Sequence, residues 1–62
     1  MFENETTVNV MRLGIEAMKK IENAQTNMEK MIYEKIVDDV VTEMAKRLKK
    51  NPLKTIIAII IA

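Results

Sequence analysis

The chain has 62 residues, of which 48% are hydrophobic and 31% charged, with a net charge of +1 and no Cys, His, Ser or Trp. A chain of this length forms one domain at most and buries only about 60% of its unfolded surface, so it is marginally stable alone. The composition excludes disulfides, thiolate metal sites, Ser or Cys nucleophiles and a His base. We therefore expect a non-enzymatic protein without cofactor, metal or small-molecule substrate, stabilised by self-association, a partner or a membrane.

Charge is distributed unevenly along the chain. Residues 1–45 carry nine acidic and five basic side chains, a net charge of −4. Residues 46–62 carry five basic side chains and no acidic one, a net charge of +5. This asymmetry favours orientation toward an anionic surface, or toward the acidic part of a neighbouring copy.

The N-terminal residues 1–7 are mostly polar and form a predicted helix cap. Three of them are suitable N-cap residues: Asn4, Thr6 and Thr7. The segment is acidic, whereas a secretory signal begins with basic residues, so we expect no such signal here. Residues 8–22 then have helical periodicity, and their broad apolar arc requires more than one neighbour. Gly14 costs about 1 kcal/mol in a helix relative to Ala, and the sequence leaves open whether it allows a close helix crossing or has no structural role.

The segment Asn23–Asn27 is an ambiguous join between two helical stretches. The spacing of Thr26 and Glu29 fits a capping box, which would begin a second helix and produce a hairpin broken at this join. Against a break, the join contains no Gly or Pro, and apolar positions from 8 to 48 recur on average every ~3.6 residues, as in one helix. We favour one long amphipathic helix over residues 8–50, straight or bent, with the helical hairpin as the alternative.

The clearest amphipathic segment extends from Met28 to Leu48. At 100° per residue, its apolar side chains fall on one side and most of its charged side chains on the other. Asn51 precedes Pro52 and is therefore pushed out of helical conformation, which predicts a helix end there. With the earlier arc, this stripe predicts a coiled-coil-like self-association surface of Val8, Met11, Ile15, Met18, Ile21, Ile32, Ile36, Val37, Val40, Val41, Met44 and Leu48.

Residues 51–54 form a basic, Pro-containing neck, and residues 55–62 a short apolar tail with five Ile. As a helix, the ten residues 53–62 would rise about 15 Å, whereas a bilayer span requires about 20 apolar residues. The tail cannot cross a membrane alone, yet its basic flank is typical of a membrane-linked segment. The predicted contacts with a bilayer or another anionic partner are Lys46, Arg47, Lys49, Lys50, Lys54, Ile56, Ile57, Ile59, Ile60 and Ile61.

Other chemistry in the sequence is weakly indicated. Asp38 and Asp39 are adjacent, so on a helix they point about 100° apart and cannot share a site. A carboxylate metal site between subunits, using Glu34 and Asp38, is a minor alternative to a solvated polar face. The basic residues could contact nucleic-acid phosphates, but no aromatic residue lies among them to stack on bases, and we do not expect nucleic acid as a partner.

The combination of an acidic amphipathic helix, an apolar segment and a basic cluster resembles small helical coat proteins and pilin-like filament subunits, although here the basic cluster precedes the apolar run. No motif assigns the chain to either family. The concrete forms that we expect are a filament subunit, a viral or phage structural protein, or the stalk of a small membrane complex. We expect an oligomeric all-α assembly subunit, membrane-linked at some stage, located at a membrane or within a particle or filament rather than free in the cytoplasm. The alternatives are a soluble helical dimer or bundle that regulates a partner, and a membrane-active, holin-like or toxin-like peptide.

Overall fold

The computed structural model describes residues 2–62, which form three helices and no strand. Helix α1 covers Thr7–Glu22, α2 covers Asn27–Lys50 and α3 covers Pro52–Ile61. Helices α1 and α2 form an antiparallel hairpin, and α3 folds back along it and packs against both. The all-α fold predicted from the sequence is therefore confirmed.

The single helix over residues 8–50 is not formed; the chain has the alternative, a hairpin. Thr26 is the N-cap of α2, and its hydroxyl accepts a hydrogen bond from the Glu29 amide at 3.1 Å. The Glu29 carboxylate accepts one from the Gln25 amide at 3.4 Å, so both members of the predicted capping pair act. The Thr26 bond satisfies an amide that a helix start leaves unpaired, and the Glu29 bond fixes the residue before the N-cap. Together the two bonds stabilise a break without Gly or Pro.

The preceding helix also ends with its own cap. The Asn23 side-chain amide donates to the Lys19 carbonyl at 3.0 Å, which satisfies one of the last carbonyls of α1. Across the turn, the Lys20 ammonium lies 5.6 Å from the centre of the Tyr33 ring, within the range of a cation–π contact. The spacing of apolar residues could not reveal this turn. The break covers four residues, about the number in one helical turn, so apolar positions before and after it still recur about every 3.6 residues.

The Pro break predicted at residue 52 is present, but the neck of residues 51–54 is not a separate segment. Only Asn51 lies outside a helix, and Pro52 occupies the first turn of α3. Proline is favoured there because a helix start needs no amide donor from it. The Thr55 hydroxyl donates to the Asn51 carbonyl at 2.9 Å and ties this first turn together.

The core lies mainly between α1 and α2, at a crossing made close by glycine. Its buried apolar residues are Phe2, Val10, Ala17, Val40, Met44 and Ala58. Gly14 is also buried, and a Cβ placed on it would lie 2.8 Å from Cγ1 of Val40, closer than two non-bonded carbon atoms approach each other in proteins. Of the two alternatives that the sequence left open for Gly14, the structure has the close helix crossing.

Candidate functional site

Arg47 joins the N-terminal segment to the end of α2. Its guanidinium donates three hydrogen bonds: to the Glu43 carboxylate at 2.7 Å, the Thr7 hydroxyl at 3.0 Å and the Phe2 carbonyl at 2.7 Å. Its side chain is only 18% exposed. Glu43 and Arg47 are spaced i,i+4, as a helical ion pair requires, but nothing in the sequence indicates the two distant acceptors. Arg47, expected to face an anionic partner, is thus engaged within the chain.

Three further basic residues, Lys46, Lys50 and Lys54, lie beside acidic residues from the N-terminal segment. A recess at this end of the hairpin is lined by Lys46, Arg47, Lys50 and Lys54 and also by Glu3, Glu5 and Glu43. The Lys46 ammonium lies 4.0 Å from the Glu43 carboxylate. The charge asymmetry along the sequence is thereby reduced in space, because the hairpin returns the acidic start of the chain to its basic end.

Helix α3 buries its small residues and exposes its large ones. Thr55 is 2% exposed and Ala58 6% exposed, and this i,i+3 pair faces the α1–α2 hairpin. The opposite side is an exposed outer ridge, which consists of Leu53, Ile56, Ile57, Ile60 and Ile61. The ridge contains four of the predicted tail contacts, Ile56, Ile57, Ile60 and Ile61, together with Leu53. Exposure along it ranges from 47% at Ile56 to 77% at Ile60, so this chain covers the ridge only in part.

An apolar cleft opens between α1 and α2 and reaches the side of α3. It encloses about 300 Å³, and its lining residues are Met11, Gly14, Met18, Val37, Val40, Val41, Met44, Ala45, Leu48 and Ile59. None of them is charged, and Val41 and Met18 are more than half exposed. Ile59 belongs to α3, so the cleft and the outer ridge are adjacent surfaces of one side of the molecule.

The cleft continues into an acidic end near the α1–α2 turn. Met18 and Val37 line both the cleft and a second cavity, whose other residues are Ile21, Glu22, Glu34 and Asp38. Within residues 2–62, neither Glu22, Glu34 nor Asp38 forms an ion pair. The neighbouring Asp39 is paired instead with Lys35 at 2.8 Å, and this hydrogen bond raises the pKa of the Lys35 ammonium.

The predicted self-association residues divide into three groups in the structure. Val40 and Met44 are buried by this chain's own helices. Partly exposed positions are Val8, Met11, Ile15, Ile21, Ile36 and Val37. Strongly exposed positions are Met18, Ile32, Val41 and Leu48. Ile32 belongs to a separate exposed apolar patch with Met28 and Met31, and those two methionines were not among the predicted self-association residues.

Two negative findings concern the described residues. No helix within residues 2–62 is long and apolar enough to cross a membrane. The same residues contain no group of three or more acidic side chains placed to hold a metal ion. No known protein family, no curated protein and no solved structure matches this chain.

Proposed function

We propose that this protein is a non-enzymatic assembly subunit that functions as a homo-oligomer, with copies covering each other's apolar surfaces. The observation that carries the proposal is the orientation of α3. Its small residues Thr55 and Ala58 meet the rest of the chain, and its isoleucines point outward. A helix that served only this chain's core would place its largest apolar side chains inward, because burial of each stabilises by about 1.5–3 kcal/mol.

The size of the exposed apolar surface supports the same proposal. A specific interface buries about 800 Å² on each partner, which is about a sixth of this chain's accessible surface of 4977 Å². The outer ridge, the cleft and the Met28–Ile32 patch together include thirteen large apolar residues that are at least 40% exposed, counting Leu13 beside them. Apolar patches of this extent on a small chain are typical of protein or membrane contact sites.

Sedimentation velocity over a range of protein concentrations tests self-association. We expect the parent chain to sediment as a dimer or larger species at micromolar concentration. Ile60→Glu places a charge on the outer ridge and should shift the chain toward monomer while circular dichroism shows the same helix content. Thr42→Glu is the matched control, since Thr42 is exposed on the polar side of α2. A parent chain that remains a cooperatively melting monomer would refute the proposal.

Contact with a bilayer surface is a second candidate function for the same ridge. It is favoured by Lys49, Lys50 and Lys54, which stand near the start of α3 and form no ion pair within residues 2–62. Lysines beside an apolar ridge are typical of helices that lie on anionic membranes. Co-sedimentation with anionic vesicles should then weaken with added salt, and weaken further when the three lysines are replaced by Gln. Equal binding to neutral vesicles, or none to either, would exclude this function.

A further inference from the structure

We infer that two copies of this chain pair reciprocally, with the outer ridge of each α3 lying in the apolar cleft of the other and the two α3 helices antiparallel. The inference rests on the proposed self-association and specifies its interface. Four observations determine this arrangement: the chemical match of ridge and cleft, their lengths, their adjacency at Ile59, and the charges at their ends.

The cleft and the ridge match in chemistry and in length. Both present only apolar side chains, and the methionines Met11, Met18 and Met44 give the cleft a wall that adapts to its occupant. On α2 the cleft extends from Val37 to Leu48, which corresponds to about 16 Å along the helix axis. Helix α3 has ten residues and is therefore about 15 Å long, so it would fill the cleft from end to end.

Adjacency at Ile59 makes the pairing mutual. Ile59 lines the cleft, and it neighbours Ile56 of the ridge because the two are three residues apart on α3. A two-fold axis near Ile59 would place the ridge of one copy over the cleft of the other and, by the same rotation, the second ridge over the first cleft. Such an interface closes on itself, and it gives a dimer rather than an open filament.

The end charges select the antiparallel direction. In that arrangement the end of α2 with Lys50 and the start of α3 with Lys54 lie near the acidic end of the partner's cleft, where Glu34 and Asp38 form no ion pair within residues 2–62. In their own chain both lysines line the recess with Glu3, Glu5 and Glu43 but are in ion-pair contact with none of the described residues. The partial positive charge of the α3 N-terminus adds to this attraction. A parallel arrangement would instead bring the lysines of the two copies together, which is repulsive.

Cysteine cross-linking tests the geometry without interference, because the chain contains no Cys. Ile59→Cys lies near the proposed axis and should form a disulfide-linked dimer under mild oxidation. Leu53→Cys is six residues away, so its two copies would be about 18 Å apart, beyond the reach of a disulfide. Leu53→Cys mixed with Val37→Cys should cross-link as a heterodimer. Self-linking of Leu53→Cys without self-linking of Ile59→Cys would overturn the antiparallel arrangement.

Charge reversal tests the contacts at the cleft ends. Lys54→Glu alone and Asp38→Lys alone should each weaken dimerisation roughly tenfold, since each occurs twice per dimer and converts attraction to repulsion. The double variant Lys54→Glu/Asp38→Lys should recover most of the parent affinity. Lys54→Glu combined with Glu16→Lys, on the exposed side of α1, should show no recovery. Equal affinities for both double variants would refute the contact.

The two proposals fail in different ways. A parent chain that remains monomeric in sedimentation removes both the assembly function and the paired dimer. The parent chain could instead oligomerise while neither Ile59→Cys nor the mixture of Leu53→Cys and Val37→Cys cross-links. That result would leave the assembly function standing and overturn only this interface. If Ile60→Glu still forms species larger than a dimer, assembly uses another surface. The Met28–Ile32 patch would then be the next surface to substitute.

Discussion

Gly14 and Val40 set the closest approach of α1 and α2: a Cβ on Gly14 would lie 2.8 Å from Cγ1 of Val40 and 3.4 Å from its Cβ. Val40 is short and branched at Cβ, so its methyl cannot swing away as the end of a long side chain can. Both residues are buried, and Val40 is 3% exposed. The separation of the two helices therefore depends on the missing side chain at position 14.

Gly14→Ala should destabilise the protein even though Ala is the better helix former. The gain in helix propensity is about 1 kcal/mol, whereas overpacking a close crossing costs about 1–3 kcal/mol. Urea denaturation followed by circular dichroism measures the difference. The loss of stability in the double variant Gly14→Ala/Val40→Ala should be smaller than the sum of the losses in the two single variants. Alanine at position 40 lacks the Cγ1 methyl that would contact the new Cβ at position 14. A more stable Gly14→Ala protein would show that the crossing is not tight.

Val40→Asp should lower the free energy of unfolding by several kcal/mol, because it places an unpaired carboxylate in the core. Asp39→Lys, one position away, should have a mild effect, since it removes only the ion pair with Lys35, whose side chain is 73% exposed. Thermal melts of both variants compare the two faces of α2. Similar losses for the two changes would mean that the buried face of α2 has been assigned incorrectly.

Arg47→Ala should reduce stability by about 1–3 kcal/mol, the range for hydrogen bonds to a charged group with partly buried partners. The loss should be local, with faster amide exchange in residues 2–7, because the Phe2 carbonyl and the Thr7 hydroxyl lose their donor. Lys46→Ala is the matched control: its 4.0 Å contact with Glu43 is exposed on the lysine side and should contribute little. Unchanged exchange in residues 2–7 would show that Arg47 does not hold this segment.

Thr26→Ala should weaken the start of α2 by about 1 kcal/mol through loss of the N-cap. Combined with Asn23→Ala, it removes the side-chain caps on both sides of the turn and favours a continuous helix through residues 23–26. The opened form would be longer than the native 38 Å, which small-angle scattering resolves. Thr42→Ala is a suitable control, because that hydroxyl only bonds back to a carbonyl within α2. A double variant with the parent's radius of gyration would show that packing alone holds the hairpin.

Helix content and the break before Pro52 were readable from the sequence, since they depend on residues at most four apart. Thr6, the N-cap of α1, was one of three candidates, and the Thr26 cap belonged to the hairpin alternative, so the sequence offered both caps without selecting them. Whether the chain turns at residues 23–26 was not readable, because a turn without Gly or Pro is decided by the packing of α1 on α2. The same limit applies to Arg47, whose distant acceptors become neighbours only when the hairpin closes. It also applies to the basic residues at the end of α2 and the start of α3. In the sequence no acidic residue follows them, whereas in the structure Glu3 and Glu5 lie beside them.

The sequence by itself determined that this protein is helical and amphipathic, because period and capping are local properties of a chain. Tertiary structure alone decided which apolar residues remain uncovered. Gly14 let α1 and α2 approach closely enough for Val40 and Met44 to be enclosed within one chain. Thr55 and Ala58 then provided the small surface on which α3 rests. Because small residues occupy the inner side of α3, its isoleucines remain partly exposed, and that exposure is the physical basis of the proposed self-association.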